Sequence, residues 1–337
     1  MSLQQAIDRN LVRYLELIPG TSAFIDARTP GSDMKDNFCI IGAGVAESSR
    51  QHVHIRETAG FNIGAAGQPP GIKNSLHSHR TAELFIVFKG LFRFYWGNNG
   101  EHEAVLSHGD VISIPTNLFR GFEVVGRDYG FMFSVLGGDD SGGGVTWHPN
   151  VIKDSQGYGL YLKADGSLVD TVDGDPIPNT EELMPLLTQD ELNTFDNYTT
   201  EEMMPFVALR RDYHTISSDF SSSGVKQYAL TGHPAAEYDF QVKSADDVSI
   251  MAYELSEGAS IPAHNRGVKE VLINFDGDTE VCVEQDGEEA RLVMTRGDVF
   301  SVPEGASYAL KNLRGNSFTY SVMGSDLPGK PGCSKGV

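Results

Sequence analysis

The stretch Gly71-Ile-Lys-Asn-Ser-Leu-His-Ser-His-Arg-Thr-Ala-Glu-Leu-Phe-Ile-Val-Phe-Lys-Gly90 decides how the rest of the chain is read. It places His77 and His79 two residues apart, Glu83 four residues further on, and a glycine at either end. In an extended strand, side chains at i and i+2 point to the same face. His77 and His79 therefore present their imidazoles side by side. The run from Leu84 to Phe88 is β-branched and aromatic and stops at Lys89-Gly90, which reads as the next strand. Glu83 stands at its start, where the chain turns back past the histidines. Two neutral nitrogens and one carboxylate oxygen on one face make a ligand set for a divalent transition metal, in the pattern of the facial triad. The competing reading is a pair of surface histidines beside an acidic turn, the commoner fate of a bare HxH.

A second copy of the pattern lies downstream. GASIPAHNRGVKEVLINFDG carries Gly258, His264, Arg266, Glu270 and Gly277. Gly258, His264, Glu270 and Gly277 each fall 187 residues after Gly71, His77, Glu83 and Gly90. GDVISIP, with Gly109 and Pro115, recurs as GDVFSVP, with Gly297 and Pro303, at an offset of 188. A nearly constant offset across two segments signals an internal repeat. The 337 residues suit two domains and their connections. The expected division is an N-terminal helical extension (1–35), a first barrel (36–150), a linker with short helices (151–235) and a second barrel (236–337).

Taken in order, the apolar positions from Leu3 to Ile18 have helical spacing, and Pro19-Gly20 ends the pattern. That helix needs a barrel wall or a second subunit to cover its stripe. Residues 37–45 and 53–65 read as early strands. RQHVHIRE offers a rival HxH in His52 and His54, with Glu57 nearby, but lacks flanking glycines and reads as an outer strand. The NNG turn after Trp96 signals a hairpin. Strands alternating with glycine turns fit an antiparallel barrel of the jelly-roll kind. GGDDSGGG (137–144) reads as a flexible connection, since it lacks the Lys-Ser/Thr ending of a P-loop. In the linker, Thr180 and Thr200 precede paired glutamates and are expected as helix N-caps, with Pro185 and Pro205 interrupting the helices. SSSG (221–224) reads as a loop.

Gly71, His77, His79, Glu83 and Gly90 match every fixed position of the first signature of the cupin superfamily, and the chain resembles a bicupin over most of residues 55–137 and 240–324. In the second signature Gly109 and Pro115 are in place, while Asn117 stands at a glycine position and Arg120 at the histidine position. The resemblance implies an all-β fold of two jelly-roll barrels in tandem, with an N-terminal helix and a partly helical linker. It implies one divalent metal on His77, His79 and Glu83. Arginine cannot be the fourth ligand, because its guanidinium stays protonated and only donates. Arg120 either competes for Glu83 and weakens the site, which predicts a dead, metal-free barrel, or clamps a substrate carboxylate that also reaches the metal. The second alternative is the expectation, and it makes Arg120 a catalytic and substrate-binding residue. Phe85 and Phe122 are expected to bind substrate, with Val87, Phe92 and Phe94 as further candidates for the lining. In the second repeat Arg266 and Tyr308 replace two ligands. An Arg266–Glu270 ion pair beside His264 is expected there, in a barrel that is structural or a metal-free pocket.

By this resemblance the function is that of a non-haem Fe(II) dioxygenase acting on a small anionic substrate, an aromatic or keto acid. Manganese, nickel or zinc would give lyase, isomerase or decarboxylase chemistry, and a non-catalytic binding bicupin is a further alternative. Gentisate-type dioxygenases use three histidines, whereas here the last is Arg120 and the acid is kept. Oxalate decarboxylases keep all four ligands in both barrels, which this chain does not. The formal charge of −20 argues against nucleic acid or an anionic membrane as partner. Three scattered cysteines form no disulfide framework and suggest a reducing compartment. No segment reads as a membrane span or secretory signal, so a cytoplasmic protein is expected, paired as a homodimer.

Overall fold

The apolar run behind Glu83 becomes a strand buried on both faces, and its barrel is assembled around it. The computed structural model describes residues 1–20, 22–48, 50–138, 144–220, 222–232, 238–242, 248–324 and 332–333. Ile18–Thr58 and Asn62–Arg210 form one compact unit. Its barrel strands are β1 (Asp36–Ile41), β2 (Val53–Ile55), β3 (Phe61–Gln68), β4 (Lys73–His79), β5 (Glu83–Lys89), β6 (Phe92–Trp96), β7 (His102–Leu106), β8 (Val111–Ile114), β9 (Arg120–Val124), β10 (Gly130–Gly137) and β11 (Val145–Trp147). A five-stranded sheet runs in the order β11-β4-β9-β6-β7. A seven-stranded sheet runs from Val207–Ala208 through β8-β5-β10-β3-β1-β2. The residues expected at 53–65 as one strand divide into β2 and β3, and the NNG turn joins β6 to β7 with Trp96 opposite His102.

Met1–Leu17, Ala59–Phe61 and Arg211–Val337 form the other unit. It holds β12 (Val225–Thr231), β13 (Val248–Leu255), β14 (Ser260–Asn265), β15 (Glu270–Gln285), β16 (Glu288–Met294), β17 (Val299–Ser301) and β18 (Ser307–Gly324). The strand β12 pairs with β13, so the sheet of this barrel begins inside the stretch expected to be linker. The linker also contains a short hairpin, Leu160–Leu162 against Leu168–Asp170.

The helix expected from Leu3 to Ile18 is shorter. Helix α1 covers Leu3–Arg9, with Ser2 and Gln5 completing a capping box. Leu11 and Val12 instead pair with Phe300 and Val299 at the edge of β17. Sheet pairing overrides the helical pattern there, and Leu15 and Ile18 are left exposed. Leu3 and Ile7 are buried in the core of the second barrel. In the linker the expected caps move by one residue. Asn179 and Thr199 are extended and close capping boxes with Glu182 and Glu202, so the glutamate three residues on marks the cap. Residues 139–143 of the glycine-rich loop, and Ser221 of SSSG, lie outside the described residues.

The repeat glycines turn the same corner in both barrels. Gly90 separates β5 from β6, which lie in different sheets, at φ 89°. Its counterpart Gly277 has φ 77° and sits inside β15 where the register with β18 shifts. A Cβ at Gly90 would lie 2.8 Å from Gly130 Cα, and one at Gly277 would lie 2.7 Å from the Asn316 carbonyl oxygen. Gly90→Ala and Gly277→Ala should therefore each lower stability by at least about 1–3 kcal/mol in urea denaturation. Gly258→Ala, with open space around its Cβ, should cost less.

Candidate metal centre in the first barrel

β4 puts His77 and His79 on the inner face of the five-stranded sheet, both 4% exposed. Glu83, 5% exposed, opens β5 on the other sheet and pairs with Leu136 and Ile114. One candidate ligand atom from each of the three lies within 4.8 Å of the others. His77 Nδ1 bonds to the Ser75 carbonyl at 2.7 Å, and His79 Nδ1 to the Gly144 carbonyl at 3.2 Å. A carbonyl only accepts, so each Nδ1 carries a proton, and in the neutral ring the lone pair is then on Nε2. That is the tautomer a metal-binding histidine requires, with the backbone as orienting partner. Burial, and after it the charge of Arg120, holds the His77 imidazole well below its ordinary range and so neutral. These residues fit a divalent transition metal.

Arg120 opens β9, directly paired with His77 and Trp96. Its Nη2 donates to Glu83 Oε2 at 2.5 Å and its Nη1 to the His77 carbonyl at 3.2 Å. Both side chains are almost fully buried. Burial pushes the Glu83 carboxyl up to about 8 and disfavours the charge on Arg120 as well, so each charge depends on the other. Arg120 does not join the residues that line the cavity. The expected projection of Arg120 into the hollow is thus corrected: Glu83 takes its guanidinium. Asn117, at the glycine position of the second signature, adopts φ 60°, a conformation asparagine tolerates far better than most residues.

The cavity encloses about 650 Å³ including its mouth. His77, His79, Glu83, Phe85 and Phe122 line it, as do Trp147, Phe24 and Phe38. Val87, Phe92 and Phe94 pack instead in the core beside it. Asn37, Asn62, Asn74 and Ser134 supply the remaining polar wall. Among the described lining residues Glu83 is the one acid, and no lysine or arginine is present. The rival pair His52 and His54 is elsewhere on the surface, with His54 Nε2 accepting from the Ile18 amide. Trp147 was not visible in the sequence as a site residue. It pairs with His77 across β11 and β4, and their rings lie 5.2 Å apart.

The second barrel repeats the layout with different chemistry. Tyr308, at the position of Arg120, donates to Glu270 Oε1 at 2.7 Å, and Ser321 donates to the same oxygen. The expected Arg266–Glu270 ion pair is replaced. Arg266 lies 3.4 Å from Asp219 and donates to Tyr253 at 2.5 Å, because the segment before β12 brings Asp219 over it. His264 Nδ1 bonds to the Pro262 carbonyl, and its Nε2 is buried with no partner among the described residues.

Comparison of the coordinates with solved structures finds the same two-barrel architecture. The oxalate decarboxylase of Bacillus subtilis matches over 95% of this chain and 77% of its own, with a TM-score of 0.58 at 14% identity. The fold is that of a bicupin. The Lactobacillus farciminis oxalate decarboxylase, solved as a formate complex, matches this bicupin over 94% of its length and 86% of the enzyme's, with a TM-score of 0.57 at 12% identity. Another structure of the Bacillus subtilis enzyme is described by its Mn(II) centres. No family model matches the sequence. No curated protein matches it either. Among the described residues no helix is long and apolar enough to cross a membrane.

Removing one half of a buried ion pair leaves the other charge stranded. In metal-free protein Arg120→Ala should cost about 3–5 kcal/mol in urea denaturation. The double substitution Glu83→Gln with Arg120→Met should recover most of that loss, giving a large coupling energy in the double-mutant cycle.

Proposed function

We propose that the first barrel binds one divalent transition metal through His77, His79 and Glu83 and converts a small carboxylate by decarboxylase or lyase chemistry. The observation that carries the reading is the pair of Nε2 lone pairs, freed by their Nδ1 hydrogen bonds, converging with Glu83 on a cavity wall. A metal there supplies Lewis-acid polarisation of a bound oxygen. With imidazoles serving as neutral ligands, the charges of Glu83 and Arg120 cancel, so the protein leaves the ion's double charge for a ligand to balance. This favours an anionic substrate even though no lysine or arginine lines the described wall. Arg120 acts through Glu83, keeping its carboxylate ionised and turned to the site. Phe85 and Phe122, at ring centroids 5.4 Å apart, keep that end of the cavity dry. The decarboxylase class is favoured over the dioxygenase by the structural neighbours, whose names give oxalate as substrate, and manganese accordingly ranks beside iron.

A second reading, an Fe(II) dioxygenase of aromatic or keto acids, draws on the aromatic lining and on the two-histidine, one-carboxylate set. Protein purified without a chelating column should carry about one first-row metal per chain, and His77→Ala or His79→Ala should abolish it. Metal-loaded protein given a panel of small carboxylates, including oxalate and aromatic and keto acids, should release carbon dioxide without consuming oxygen. Oxygen uptake in step with product would select the dioxygenase. Metal content that survives His77→Ala would remove the site altogether.

A further inference from the structure

A buried pair of charges behind β4 has no part in the reading so far. Asp26 is 0% exposed and Lys35 2%, and they form an ion pair. Neither lines the cavity. Both come from the irregular segment ahead of β1, and they grip two consecutive residues of β4. Lys35 Nζ donates to Asn74 Oδ1 at 3.0 Å, and Asp26 Oδ2 accepts the Ser75 amide at 3.1 Å. Ser75 is the residue whose carbonyl takes the His77 Nδ1 proton at 2.7 Å. The ion pair therefore ends, two hydrogen bonds on, at one imidazole of the candidate triad. His79 has a different support, the Gly144 carbonyl at 3.2 Å.

The energetics argue for a role beyond packing. Taking two charges out of water costs several kcal/mol per ion, and well-packed apolar residues of similar volume commonly hold a core as well or better. What an apolar pair could not supply is the directional grip on Asn74 and Ser75. We propose that Asp26 and Lys35 are positioning residues for the metal site, fixing through Ser75 the orientation in which His77 presents its Nε2. The inference rests on the metal reading above.

The test replaces both charges by apolar side chains at once, as Asp26→Leu with Lys35→Met, so that no acceptor is left for the Ser75 amide. Circular dichroism establishes that the variant is folded. Competition against a chelator gives its Mn(II) and Co(II) affinities, and the absorption spectrum of the Co(II) form reports ligand geometry. Groups that orient a metal-bound histidine typically change affinity 10–100-fold when lost. The folded variant should bind Mn(II) about 10–100-fold more weakly and show an altered Co(II) spectrum. Wild-type affinity with an unchanged spectrum overturns the proposal. If the double variant does not fold, Asp26→Glu carries the same readouts, since it keeps the ion pair but shifts the carboxylate by one methylene from the Ser75 amide. Wild-type protein that shows no saturable binding sensitive to His77→Ala sinks the metal reading and this inference together. Binding that the charge-free variant retains in full sinks only the inference.

Discussion

A carboxylate held away from water has to be matched by a donor, and in both barrels the match comes from the start of another strand, β9 in the first and β18 in the second. Glu83 is met by Arg120, and Glu270 by Tyr308. The two donors occupy the same place in the repeat, yet they leave very different interiors. Arg120 brings a charge that cancels that of Glu83, while both histidines keep their Nε2 atoms directed at the hollow. Tyr308 brings a neutral hydroxyl, a second hydroxyl from Ser321 joins it, and Arg266 stands where the second imidazole would be. Among the described residues the buried candidate metal site is thereby confined to one barrel, while Cys282, Glu284 and Glu289 of the second cluster only at its surface.

The same arrangement reconciles the proposed anionic ligand with an acidic protein. The overall charge of −20 acts at the surface, through water and salt. Inside the first barrel the described wall is apolar and amide-lined, so the field there is set by a few close groups. Arg120 contributes without touching the ligand space, because its effect is transmitted by the carboxylate it holds.

Much of this was legible in the sequence, and for identifiable reasons. The strand period placed His77 and His79 on one face, and the constant offset between repeats exposed two barrels before any coordinates. Glycines at the corners recur because a positive φ and a close backbone approach admit nothing larger. What stayed hidden depends on contacts between distant segments. Nothing local to Asp26 or Lys35 announces a buried pair, and nothing local to Trp147 announces a place beside His77. The Arg266–Glu270 pairing suggested by proximity within the motif yields to Asp219, which arrives from outside it. The helix expected to reach Ile18 ends early because β17 offers Leu11 and Val12 a partner that periodicity cannot see.

The docking of α1 has a consequence for how the chain is made. Leu3 donates its amide to Glu288, 285 residues later, and Ile7 is buried in the same distant core. On the ribosome this helix emerges before either barrel, yet its binding surface is synthesised only after the whole of the first barrel. It must stay unpaired, or be shielded by a chaperone, throughout translation of the first barrel. A segment made before the first barrel consequently settles only after the strands of the second barrel have been made.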